Sequence, residues 1–469
     1  VPCPALWGGE RSLDEAERAL DEAHPGFAWA LIGVAGERLV RYAGLGNGGR
    51  HAGRGGLGAV LGSKRIKAIG VKGARRVPIA HPERAVILAR DLAKRSLGPA
   101  TEKYRELGTV GNLAAFNRLA VLPTRNFQAS HFEEAAALSG EERGRTRAAG
   151  RGSCANCTIG CEHFFAVGPG KPAVKAEYEN VFAFGPLCGI GDASITLRAS
   201  QRADELGLDT ISAGGTIAFA MECAERGLFP PGPLAEAARG LRFGDGERLL
   251  SLLDDIAHRR GPLGDLLAEG SRIAAARLGP PAPDFAPQVK GLEIPGYEPR
   301  ALQTMALGFA VGHRGADHNR SGAYEADFSG AVDRLDAGPE AAQHAVDAED
   351  RAAIFDALIL CKFLRKAFDD VFAEGALLLE AVTGVPTSAA DLRATARRIV
   401  LLRRLFNLRE GWTAAEDTLP ARFFDTALAT GASKGAVLSR PRLAAMIGAY
   451  YAARGLRADG SAPPELLAA

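Results

Sequence analysis

Gly152-Ser153-Cys154-Ala155-Asn156-Cys157-Thr158-Ile159-Gly160-Cys161 places three thiols close together in the chain. The spacing Cys-x2-Cys-x3-Cys lets them converge on one metal centre, and soft sulfur favours zinc or an iron–sulfur cluster. His163 could complete a Cys3His zinc site. A cluster needs a fourth thiol from afar, for which Cys361 is the candidate. The plain alternative is three buried, unligated cysteines. Cys188 and Cys223, in apolar or glycine-rich surroundings, read as small buried hydrophobes, and Cys3 as a thiol at a frayed end. Seven cysteines in 469 residues are too few, and odd in number, for a disulfide framework.

A second stretch lies upstream, Ala52-Gly53-Arg54-Gly55-Gly56-Leu57-Gly58-Ala59-Val60-Leu61-Gly62-Ser63-Lys64. It contains a formal Gly-x-Gly-x-x-Gly, yet the segment before it, Asn47-Gly48-Gly49-Arg50-His51, does not read as a strand. No acid follows about 20 residues on to hold a ribose. Ser63-Lys64 stands in the wrong order for a P-loop. Residues 38–82 carry ten Lys or Arg and no Asp or Glu. The segment is therefore either an exposed basic surface or a glycine-lined anion site, where backbone N–H groups and Arg50 or Arg54 meet phosphate.

Around these motifs the chain reads as a large globular protein. Hydrophobic residues are 47% and charged residues 24%, which supports a sizeable core and excludes global disorder. A net charge of +2 argues against a polycation that coats nucleic acid, and no apolar run is long enough to span a membrane. The first 75 or so residues read as strand-rich, with apolar runs at 27–34, 38–42 and 66–71. Helical spacing opens at Pro82-Glu83 and runs to Leu97. Further helices are expected at 210–226, 247–259, 264–278, 340–384 and 389–410, with glycine- and proline-rich breaks at 228–232 and 279–287.

The two motifs together resemble the tungsten-containing aldehyde:ferredoxin oxidoreductase family. Thr124-Arg125-Asn126-Phe127, Glu177-Tyr178-Glu179, Asp204-Glu205-Leu206-Gly207-Leu208-Asp209, Leu292-Glu293-Ile294-Pro295, Arg314-Gly315-Ala316-Asp317-His318, Leu405-Phe406-Asn407 and Asp417-Thr418-Leu419-Pro420 also fall in the family's order. The resemblance implies a mainly α fold with a β-rich N-terminal remnant. Residues 1–76 would be the last part of a pterin-binding domain, and 77–287 and 288–469 two helical domains flanking a pterin and [4Fe-4S] site. It implies that two pyranopterins hold one tungsten or molybdenum, with Mg2+ at the pterin phosphates.

By the same resemblance, Cys154, Cys157, Cys161 and Cys361 would ligate a [4Fe-4S] cluster. Asp204, Gly207, Leu208 and Asp209 would hold one pterin. The partner element Asp356-Ala357-Leu358-Ile359-Leu360-Cys361 would hold the other, through Asp356 and Leu360. Arg50, Gly53, Arg54, Gly55, Gly56 and Gly58 would meet the phosphates, and Glu179 and His318 would face the metal as acid/base and donor. Read alone, Glu179 is a helix-surface acid, His318 a member of a salt network, Asp204 an ordinary helix residue and Gly207 a helix cap.

Three departures from the family pattern stand out. Ile359 replaces a usual Gly, and a β-branched residue there is expected to exclude a positive φ. Arg198-Ala199-Ser200-Gln201 stands where some members carry Glu-x-x-His for an iron between subunits, so no such iron is expected. The chain also starts late relative to the family's first domain. That keeps open an inactive fragment, an electron-transfer or catalytic subunit of a larger complex, or a partner supplying the missing part. The implied activity is oxidation of an aldehyde to a carboxylate with electrons passed to ferredoxin, in a cytoplasmic protein, alone or as a homodimer.

Overall fold

The computed structural model describes residues 6–8, 11–463 and 466. Cys3 lies outside the described residues. The protein is mainly helical, with a small antiparallel sheet near the N-terminus. The opening segment is less strand-rich than its apolar runs suggest. Helix Leu13–Ala23 comes first, started by a capping box in which Ser12 and Glu15 satisfy each other's backbone N–H. It buries Leu13, Ala16 and Leu20. The sheet follows, made of β1 (Ala28–Leu31), β2 (Leu45–Asn47), β3 (Arg50–Ala52) and β4 (Ala68–Val71), in the order β3-β2-β1-β4.

The apolar run at 38–42 is not a strand. A short helix, Val34–Glu37, turns the chain first, and Val40 and Tyr42 are buried in an irregular segment. A strand does precede the glycine loop. β2 and β3 form a hairpin with Gly46 opposite His51, and the loop leads from β3 into helix Leu57–Ser63. Local strand–glycine–helix order is thus present, but in an antiparallel hairpin rather than a parallel crossover unit.

Helix Pro82–Ser96 has Pro at its first turn and Lys94 and Arg95 in its last, as its macrodipole favours. Helices Thr210–Glu225, Gly246–His258 and Ala389–Arg409 match the spacing of their apolar residues. Two long helical segments are broken. The first divides into Gly261–Leu267 and Ser271–Leu278, with Gly270 at φ +81 between them. The second divides into Ala341–Ala357 and Val371–Thr383, and the gap holds Cys361.

Strands Ala148–Gly152 and Glu162–Phe165 pair antiparallel, with Gly152 opposite Glu162. Their hairpin loop is the cysteine motif, so the ladder fixes both ends of the segment that carries the thiols. The main hydrophobic core runs from Val34 to Tyr451 and continues across the break at 279–287. Among the described residues no helix is long and apolar enough to cross a membrane.

Candidate active site

Helix Ala193–Leu206 ends where Gly207 takes a left-handed conformation at φ +76. The Leu208 N–H reaches back to the carbonyl of Ala203 at 2.9 Å, closing a Schellman turn. The turn docks on the N-terminal segment. Gly44 N–H donates to the Gly207 carbonyl and Asp209 N–H to that of Tyr42. The Asp356 element makes the same turn. Helix Ala341–Ala357 ends, the Leu360 N–H reaches Phe355 at 2.8 Å, and Ile359 sits at φ +56. The expectation that a β-branched residue would exclude positive φ is therefore corrected. The six-residue turn forces the conformation and Ile359 adopts it, with its side chain 93% exposed.

The two aspartates that open these turns differ in surroundings. Burial raises the Asp204 carboxyl above its usual range, and His51 Nε2 lies 3.6 Å from its Oδ1. Asp356 pairs with Arg320. Asp209, by contrast, has its carboxylate fully engaged. It caps helix Thr210–Glu225 through the Ile211 N–H and accepts from Ser212 Oγ at 2.7 Å and Arg54 Nε at 3.1 Å. Arg54 spends its other donors on the carbonyls of Ala316 and Glu293, at 2.8 and 2.5 Å. It is a partly buried clamp joining segments distant in sequence.

Arg50 is more open and donates to Glu162 at 2.8 Å. Gly56 and Gly58 serve backbone packing as well as any ligand. A Cβ on Gly56 would lie 2.3 Å from the Arg41 carbonyl, and one on Gly58 2.4 Å from that of Gly44. Gly53 faces open space, and Gly55 lies against Arg314.

Arg50, Gly53, Arg54, Asp204, Leu208, Asp209, Glu179 and His318 all line one cavity of about 1090 Å³. Glu179 stands in the first turn of helix Tyr178–Phe184, and its Oε2 accepts the Gly296 N–H at 3.0 Å. His318 opens the short helix His318–Ser321, capped by Asp317. Burial works against charge on Asp317, but Arg314 and Arg54 hold it down at about 2. His318 Nε2 lies 3.5 Å from Glu179 Oε1. Burial pushes Glu179 up to about 7 and His318 well below its ordinary value, with Lys362 adding to the latter. We therefore describe the pair as a neutral imidazole beside a carboxyl poised near neutrality, not as an ion pair. Glu179 Oε1 and His318 Nδ1 are buried with no hydrogen-bond partner in the protein. Such orphaned groups suit a bound group that completes their bonding.

None of the four cysteines lines this cavity, although Lys362 and Phe363, which follow Cys361 in the chain, do. Cys361 and Cys154 are exposed, and Cys157 and Cys161 partly buried. Burial raises Cys161 to about 12, with Glu177, Cys361, Cys157 and Cys154 adding to it. Burial also raises Cys361, and Cys157 and Cys154 add to that shift. The four sulfurs therefore share one neighbourhood, although 200 residues separate Cys161 from Cys361. Glu177, which acts on Cys161, also lines the cavity.

Among the described residues no three His, Cys, Asp or Glu groups gather as they would about one metal ion. A single zinc needs its sulfurs about 2.3 Å from one point, whereas a multi-iron cluster spreads them. His163 instead turns Nδ1 to the Cys161 carbonyl at 3.1 Å. Cys161 and Cys361, whose thiolates are disfavoured by burial and by the neighbouring sulfurs, fit a centre that stabilises thiolates. Cys188 and Cys223 are fully buried, as small hydrophobes.

A family model described as aldehyde ferredoxin oxidoreductase, domains 2 and 3, matches residues 89–469, and one for the N-terminal domain matches residues 2–73. The chain belongs to the aldehyde ferredoxin oxidoreductase family. It is 36% identical to the tungsten-containing aldehyde ferredoxin oxidoreductase of Thermococcus kodakarensis, over 98% of this chain and 76% of that protein. Identity to the Pyrococcus furiosus enzyme of that name is 35% over the same shares. A more distant relative in P. furiosus is named aliphatic sulfonate oxidoreductase, WOR-like subunit, at 28% identity over 94% of this chain and 69% of that one. A solved structure, the BamBC active-site complex of benzoyl coenzyme A reductase with 1,5-dienoyl-CoA, matches with a TM-score of 0.79. It is 22% identical over 99% of this chain and 76% of that one, and shows the fold alone.

Membership of this family makes the protein an oxidoreductase. Sequence reasoning missed Tyr297 and Gly296, which hold His318 and Glu179. The quoted motif at Leu292 stops one residue short of them.

Proposed function

We propose that this family member oxidises a small aldehyde to a carboxylic acid and passes the electrons to a ferredoxin-like acceptor. Balance requires one water in, and two electrons and two protons out, per aldehyde. The observation that carries the reading is the Glu179–His318 pair, His318 buried and Glu179 partly so, with unpartnered polar atoms, in a cavity that Glu177 and Lys362 also line beside the thiols.

The residues fit the groups the family name implies. Asp204 with Gly207 and Leu208, and Asp356 with Leu360, would hold two pterins. Asp209 and Arg54 would fix the first turn from behind. Arg50 and the open face at Gly53 would meet the pterin phosphates, where Mg2+ would add positive charge. Cys154, Cys157, Cys161 and Cys361 would hold a [4Fe-4S] cluster. When bound, a tungsten- or molybdenum-pterin with this cluster supplies two-electron oxidation and one-electron exit.

The protein's own part is acid–base work. Glu179 Oε1 accepts a proton from the attacking water. Neutral His318 donates an N–H to the carbonyl oxygen as charge builds there. The stacked Tyr297 fixes the imidazole plane, at 5.0 Å between centroids. The Gly296 N–H fixes the carboxyl. In this reading 1–76, 77–287 and 288–469 are the three contributing parts.

The test is aldehyde-dependent reduction of a dye by anaerobically purified, metal-loaded protein, with the product acid quantified. One acid formed per two electrons supports the proposal. Reduction without acid, or acid without reduction, refutes it.

A further inference from the structure

The same cavity has two features that, Tyr297 apart, the acid–base step leaves unused. The first is its aromatic wall. Four of the chain's seven tyrosines line the cavity: Tyr104, Tyr178, Tyr297 and Tyr324. Tyr297 stacks on Tyr324 at 4.9 Å and 28°. Phe116 stacks on Phe328 at 5.0 Å and meets Tyr297 edge-on at 5.4 Å. Ala115, Ala326 and Ala331 leave space beside these rings. These rings cover one another except at Phe328, which is backed by Phe116 and 36% exposed, and an open ring of that kind selects flat, apolar ligands through offset stacking.

The second feature is charge. Lys103 and Lys366, both exposed, mark the mouth of the cavity, with Arg351, Lys362 and Arg365, half-buried, lining it beside Glu325 and Asp347. Glu177, Glu179, Asp204 and Asp209 line the rest with Arg50, Arg54 and Lys175. Glu325 is shared between Arg365 at 2.7 Å and Arg351 at 3.7 Å. Asp347 already accepts from Gln343. Burial lowers Lys103, and Arg365 and Lys366 lower it further, as expected where cations crowd without enough counter-charge. Lys362 spans the two regions. It lies over the Tyr324 ring at 5.3 Å and acts on both Glu179 and His318.

We propose that this cavity takes aryl aldehydes that carry a carboxylate on the ring. The formyl group would meet Glu179 and His318, the ring would lie along Phe328, and the carboxylate would reach Arg351 and Lys366. The inference rests on the proposed aldehyde oxidation only for the reacting group. Ring and carboxylate recognition stand on the wall and the mouth.

The test compares para-formylbenzoate, benzaldehyde and acetaldehyde as substrates of the holoenzyme with a dye acceptor. It also measures calorimetric binding of terephthalate and benzoate. The expected order of kcat/KM is para-formylbenzoate, benzaldehyde, acetaldehyde. Arg351→Gln and Lys366→Gln should each raise KM for para-formylbenzoate by about tenfold and move that for benzaldehyde far less. Phe328→Ala should weaken both aryl substrates and spare acetaldehyde.

Tighter binding of terephthalate than benzoate, lost in Arg351→Gln, supports the ligand class even if no aldehyde is oxidised, in which case the aldehyde reading alone falls. Equal binding of the two acids overturns the ligand class whatever is turned over. So do charge variants that change only the KM for a protein electron acceptor, which would make the mouth a carrier's landing site.

Discussion

Glu179 carries the sharpest residue-scale consequence. Burial sets its carboxyl near 7, above the ordinary value. As a base it works ionised, so activity should be lost as pH falls through about 7 and be complete above it. Neutral His318 titrates lower and leaves that limb unchanged. Glu179→Gln should lower kcat by about a hundredfold or more and remove the limb from the pH profile of kcat/KM. A variant that keeps the limb would place the titration elsewhere.

The sequence alone makes Glu179 a surface acid, because nothing local reveals that Gly296 and His318 close over it from 117 and 139 residues away. Order of motifs points to it and burial explains it. The commitment of Asp209 to Arg54 was not legible, since a carboxylate in a motif looks the same whether free or paired.

At the scale of elements, two helix ends carry the same Schellman turn with different residues at the left-handed position. Gly207 costs little there, while an L-residue in that conformation costs about 1–2 kcal/mol, and Ile359 is β-branched. The Ile359 side chain is exposed, so removing it forfeits no packing. Ile359→Gly should therefore raise the unfolding free energy by about 1 kcal/mol, read from urea denaturation. A loss of stability would show that the side chain has a partner.

Helix spacing at 82–97, 210–226 and 389–410 is legible because the apolar period is uninterrupted. The break at Gly270 and the turn before Cys361 are less so. Each interrupts a helical pattern, and the second places the Cys361 thiol near the three upstream ones. The capping box at Ser12 is a local signal that the apolar runs downstream outweighed.

For the whole molecule, Arg54 joins the glycine loop, the helix at Asp209 and the segments at Glu293 and Ala316. Arg54→Ala leaves Asp209 without its cation in a buried setting and should cost about 3 kcal/mol or more. Thermal unfolding measures it, and a loss under about 0.5 kcal/mol, the size of an ordinary surface substitution, would contradict the clamp.

The shared core across 279–287 was not visible in the sequence, because a proline- and glycine-rich break marks a loop and not what packs on either side. Net charge misled in the same way, averaging a basic N-terminal stretch against acids elsewhere. The central claim is that a pterin-bound metal and a four-thiol cluster serve one cavity. Metal analysis of anaerobically purified protein tests it most directly. About one tungsten or molybdenum and about four irons per chain are expected. Zinc alone, or iron without tungsten or molybdenum, would contradict it.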